Sequence, residues 1–165
     1  MKAFSNLLSD LILTSSRNRK LSLLEQYFSS TPDPDRGYAL AALTGSLNFK
    51  NINASFFKDL IKEKQDEHLF DLSYDYVGDL AETISLLWDQ EKSGNMPRLS
   101  SLFENLKKAK TDELNNYIIN ILNISTADQR WAFIKLFTGG LRIGVSSRPV
   151  SYTHLTLPTS RSGWV

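Results

Sequence analysis

No cysteine occurs anywhere in this chain of 165 residues. A disulfide scaffold, a thiolate zinc site and a thiol nucleophile are therefore excluded. Histidine is almost as scarce: only His68 and His154 are present, which nearly excludes a histidine-based metal site or triad. Long apolar runs are missing too, and nothing approaches the ~18 residues that a membrane span needs. The first sixteen residues are amphipathic, but they carry Asp10 and no clean cleavage site, so they do not read as a signal peptide. There is no G-x-x-x-x-G-K-[ST], G-x-G-x-x-G, H-E-x-x-H or G-x-S-x-G. What remains is globular composition, 41% hydrophobic and 22% charged, long enough for one domain with its own core.

The net charge of +1 conceals an uneven distribution. Residues 1–50 hold six Lys/Arg against four Asp/Glu, residues 51–100 five against ten, and residues 101–148 seven against four. A nucleic-acid binder can work through local basic patches of this kind. On charge alone, ordinary scatter of surface charge is the better account.

The hydrophobic pattern is helical almost throughout. Phe4, Leu7, Leu8, Leu11 and Ile12 predict a first helix with one apolar face. Thr14-Ser15-Ser16 offers N-caps for a second, carrying Leu21, Leu24, Tyr27 and Phe28. Thr31-Pro32-Asp33-Pro34 breaks the chain, and Asp35 is placed to cap a third helix that ends at Thr44-Gly45. Asn53 opens another, and His68–Tyr76, Leu80–Trp88, Leu99–Ala109 and Glu113–Leu122 follow. Ser125 or Thr126 caps the last, Trp131–Phe137, which stops at Gly139-Gly140. No alternating strand pattern is convincing, although Leu141–Val145 would suit a short extended piece. The expected class is all-α: a compact bundle of about nine short helices.

Two segments echo one another. Asp35–Phe49 and Asp128–Ile143 share an acid, an aromatic, an alanine and then T-G-x-L-x-apolar. The repeat distance of about ninety residues suits a single duplication rather than a solenoid. Two copies about a pseudo-two-fold axis would match the dyad of duplex DNA.

Few residues invite chemistry. Asp71/Asp75 and Asp79/Glu82 lie at helical spacing and could serve as a metal or acid–base pair. A solvated helix face, or a cap at Asp79, is their more ordinary role. Tyr74 and Tyr76 are expected in the core. The strongest local signal is Thr138, Gly139, Gly140, Leu141, Arg142, Ile143, Gly144, Val145, Ser146. Its glycines would let backbone N–H groups approach a phosphate, and Arg142 adds a forked cation. A helix C-cap and tight turn explains the same residues. A second basic site, Arg17, Asn18, Arg19 and Lys20, sits where a helix should begin. Cations oppose the macrodipole there, which hints at a role beyond stability. Lys107, Lys108 and Lys110 are adequately explained as a solvated helix end.

Composition shifts at Pro149. Residues 149–165 contain no acid and six Ser/Thr, and they lack useful periodicity. The run V-S-Y-T-H-L-T-L-P-T looks like one translated frame of a transposase-end sequencing adapter. The expected organisation is a native stretch, 1–148, followed by a non-native, weakly packed tail, 149–165, so that His154 and Trp164 carry no function.

The runs T-P-D-P-D-R-G-Y-A-L-A-A-L-T-G, L-F-D-L-S-Y-D-Y-V-G-D-L-A-E-T-I and W-A-F-I-K-L-F-T-G-G-L-R-I-G-V-S carry a family resemblance. The chain resembles the N-terminal DNA-binding domain of bacterial-type ATP-dependent DNA ligases over residues 1–148. The resemblance implies an all-α module that binds nicked double-stranded DNA through its backbone, as a monomer in the nucleoid-associated cytoplasm. Thr138 to Ser146 would be one contact and Arg17, Asn18 and Lys20 a second. It also implies a nucleotidyltransferase domain and an OB-fold in the same chain, using ATP and a divalent metal such as Mg. The adenylated lysine of the family lies in K-x-D-G, and no K-x-D-G occurs here. On this reading the chain is a truncated fragment without catalytic residues, metal site or cofactor, inactive as an enzyme on its own. Two other classes compete: a helical protein-interaction domain without activity, and a small enzyme built on the Asp71–Glu82 carboxylates.

Overall fold

The computed structural model describes residues 1–92, 94–139 and 141. These form nine α-helices and no strand: α1 (Lys2–Leu13), α2 (Arg17–Ser30), α3 (Asp35–Leu43), α4 (Ala54–Lys64), α5 (Glu67–Val77), α6 (Leu80–Leu87), α7 (Leu99–Lys108), α8 (Thr111–Ile124) and α9 (Ala127–Thr138). The all-α expectation holds. The tail from 149 lies outside the described residues, as does the extended piece beyond Leu141. The helices fall into two compact units, the first built on Met1–Leu47 and Pro97–Lys107, the second on Asn48–Met96 and Lys108–Gly140.

In the first unit, α1 packs on α2. Phe4, Leu7, Leu8 and Leu11 are buried, and the Phe4 and Tyr27 rings lie 6.0 Å apart. Ile12, expected on the buried face, is 43% exposed. Leu11 closes the stripe, because the next residue turns ~100° away from it. Ser16 caps α2 as the sequence suggested, accepting from the Arg19 N–H. Asp35 does not cap its own helix. Pro34 is the N-cap of α3 and makes no side-chain cap bond. The Asp35 carboxylate instead accepts from the Ser100 N–H at 3.0 Å and pairs with Arg98 at 3.6 Å. It therefore serves the first turn of α7, where N–H groups have no intrahelical acceptor. Burial pushes its pKa up, but the Ser100 hydrogen bonds, Arg98 and the chain's ammonium terminus outweigh that and hold it below the usual carboxylate range. On the same pair of helices Tyr38 stacks on Phe103, with centroids 5.4 Å apart.

In the second unit, α6 packs against α5 and α9, and α4 touches all three. Phe57 and Phe133 are fully buried, and Phe137 lies 5.1 Å from Phe133. Helix starts are set by short polar side chains. Asn53, Asp66, Asp79 and Thr126 each accept from the backbone N–H three residues on. Such caps satisfy one orphan donor each, at ~1 kcal/mol. Gly78, in the left-handed region at φ 76°, ends α5. Tyr74 is half-buried against Phe70, with Lys58 over its ring. Tyr76 is 93% exposed, contrary to the expected core position. At ~100° per residue it lies about 120° around α5 from the buried Phe70, and no described residue of the unit covers it.

Candidate nucleic-acid interface

The N-terminus of α2 is a cationic turn. Arg17, Asn18 and Arg19 are exposed and Lys20 is half-buried. Neither Arg17 nor Arg19 forms an ion pair among the described residues, and the first turn carries no acid. Three cations at the positive end of a helix raise its energy. A polyanion placed there would offset the cost, because the same turn also presents backbone N–H groups.

At the other candidate, Thr138 and Gly139 end α9. The Thr138 hydroxyl donates to the Ile134 carbonyl at 3.1 Å, and Gly139 is exposed at φ 72°. A Cβ built on Gly139 meets no atom within 4 Å. The glycine is needed for its backbone conformation rather than for space. Leu141 is half-buried. Gly140, Arg142, Ile143, Gly144 and Ser146 lie outside the described residues.

The echo between the two segments extends further than the sequence comparison used. Thr44 bonds the Leu40 carbonyl at 2.9 Å, as Thr138 bonds Ile134, and Gly45 has φ 73° beside the 72° of Gly139. Both glycines are exposed, and Leu47, like Leu141, is half-buried. Eight residues before each Thr-Gly stands an arginine, Arg36 or Arg130, and both are buried, at 5% and 4% exposure. Sequence reasoning passed over these two. Their matching offset from Thr-Gly was the available signal.

The carboxylates do not converge on a site. The Asp79 carboxylate caps α6 through the Glu82 N–H at 2.9 Å and pairs with Lys135. Asp71 and Asp75 are exposed, with Asp71 3.8 Å from Lys62. Among the described residues no group of three or more acidic or histidine side chains could hold a metal ion, and no helix is long and apolar enough to cross a membrane. The cap role of Asp79 stands in place of an acid–base pair.

A family described as DNA ligase N terminus matches residues 1–151. The chain belongs to that family. The match spans both compact units and reaches past Ser146, so the cationic turn of α2 and the whole glycine-rich segment fall inside the ligase N-terminal region. No curated protein and no solved structure matches the chain.

Proposed function

We propose that this ligase N-terminal region holds nicked duplex DNA through its phosphate backbone, for an ATP-dependent enzyme of bacterial type. The family match over residues 1–151 carries the reading. The exposed Arg17-Asn18-Arg19 turn and the glycine-rich segment from Thr138 to Ser146 are the contacts that fit it. Phosphate contacts position a protein without reading sequence, which is what a ligase requires. The module acts as a monomer in the nucleoid-associated cytoplasm. ATP, the divalent metal and the adenylated lysine belong to a nucleotidyltransferase domain with K-x-D-G, a motif these 165 residues lack. Holding the duplex is the role of this region, and sealing chemistry is the role of the domain that carries that motif.

Fluorescence anisotropy with a nicked duplex tests this reading. Affinity should fall linearly with salt on logarithmic axes. Arg142→Ala should cost ~1–3 kcal/mol and flatten the slope by about one phosphate. Arg17→Ala combined with Lys20→Ala should act in the same sense. Salt-independent binding, or identical binding by the substituted proteins, would overturn the proposal.

A further inference from the structure

The α5–α6 pair of the second unit presents an apolar face that no described residue covers. Leu69, Leu72 and Tyr76 recur at i, i+3 and i+7 on α5 and are 47%, 56% and 93% exposed; Leu86 on α6 is 66% exposed. Between the helices runs a groove of about 320 Å³ lined by Leu72, Tyr76, Val77, Thr83, Leu86 and Leu87. That volume is near the lower end of the ~300–1,000 Å³ typical of small-molecule pockets. The walls are open to solvent, so the groove suits a row of partner side chains better than an enclosed ligand. Contiguous exposed apolar surface on a folded unit marks an interaction site.

Charge selects the occupant. From Glu67 to Asp89 the chain carries six carboxylates and not one lysine or arginine. Glu67 and Asp71 pair with Lys62, and Asp79 pairs with Lys135. Asp75 and Glu82 are exposed and form no ion pair among the described residues. They flank the groove, Asp75 one turn beyond Leu72 and Glu82 one turn before Leu86. An anionic rim repels nucleic acid and attracts a cationic partner. We infer that the α5–α6 groove docks a basic amphipathic helix of a partner protein, its apolar side chains seated on Leu72, Tyr76 and Leu86 and its lysines or arginines facing Asp75 and Glu82. Apolar anchors at helical spacing laid into a groove are a recurrent mode of peptide recognition, and complementary rim charge sets orientation and on-rate. The inference is independent of the DNA-binding reading.

The test uses the 165-residue chain, 15N-labelled, and a designed amphipathic helical peptide with leucines at i, i+3, i+4 and i+7 and lysines on both flanks. Amide shifts should be confined to α5 and α6, and binding should weaken as salt rises. Leu72→Asp with Leu86→Asp should lower affinity at least ~10-fold, since each substitution replaces an apolar anchor by a charge that the docked helix would bury. Tyr76→Ser, at a position too exposed to affect folding, should weaken binding in the same direction. A peptide with glutamates in place of lysines should bind far less tightly. Shifts elsewhere, equal binding by the glutamate peptide, or unchanged affinity in both variants would overturn the inference. So would a dimer of the chain that Leu86→Asp dissolves, because the occupant would then be a second copy.

Discussion

Arg36 and Arg130 do the same work in different units: each is a buried guanidinium that donates to carbonyls at the C-terminal end of another helix. Arg36 reaches the Phe28 carbonyl in the last turn of α2 at 3.5 Å, while Asp33 holds its other edge. Arg130 donates to Ser85 at 2.9 Å and to Trp88, at the end of α6, and to Ser125 at 3.1 Å, just past α8. Helix C-termini leave carbonyls without partners and carry a partial negative charge, so a forked cation satisfies both demands at once.

Arg130→Ala should therefore strand three buried carbonyls and cost about 3 kcal/mol. Arg130→Lys restores the charge but not the fork, and should recover only part of the loss. Arg36→Ala removes the bond to the Phe28 carbonyl and releases Asp33, and should cost about 1–2 kcal/mol. Urea denaturation of the three variants orders these values; an Arg36→Ala loss exceeding that of Arg130→Ala would contradict the assignment.

Asp79 should make stability depend on acid pH. Burial pushes its carboxyl up, but the bonds from Lys135 and from the Glu82 and Ala81 N–H groups prevail and hold it below the usual range. Folding thus favours the charged form, and the unfolded chain binds the proton more tightly. The stabilisation is complete above ~3.9, the unfolded value, and is lost as pH falls through the lower folded value. Asn keeps a capping oxygen, so Asp79→Asn removes mainly the charge and should cost about 0.5–1 kcal/mol at pH 7. The difference from the parent protein should shrink as pH falls below the unfolded carboxyl value and vanish once pH lies below the lower folded value. Asp79→Ala removes the cap as well and should cost about 1 kcal/mol more at any pH where both remain folded.

Gly45→Ala and Gly139→Ala should each destabilise by about 1–2 kcal/mol, through the left-handed backbone alone. No atom lies within 4 Å of either built Cβ, so no clash adds to it. Asn, which tolerates that region, should cost less. Thermal melts of the four single variants would show equal penalties at the two sites. A much larger loss at one of them would reveal a constraint beyond φ.

The cationic turn gives a prediction that runs against the usual sign. Arg17 lies at the positive end of α2 with no acid beside it, so Arg17→Glu should raise stability by about 0.3–1 kcal/mol in low salt. If the turn holds phosphate, the same substitution should weaken duplex binding. Stability and binding moving together would separate Arg17 from the interface.

Much of the fold was legible because its determinants are local. Ser16, Asn53, Asp79 and Thr126 each bond a backbone N–H three residues away, and a cap needs nothing beyond its own turn. The apolar spacing of Phe4, Leu7, Leu8 and Leu11 likewise specifies a helix face without reference to its partner. Composition and periodicity alone determined that the protein is all-α, where most helices begin, and which glycines end them. Only the tertiary structure decided that Asp35 serves a helix 65 residues away, and that Arg130 closes carbonyls 42 and 45 residues back. It also decided that Leu72, Tyr76 and Leu86 stay exposed among the described residues. An amphipathic pattern states that one face is apolar; whether another helix lies on that face depends on which elements the chain brings together, and no local preference encodes that.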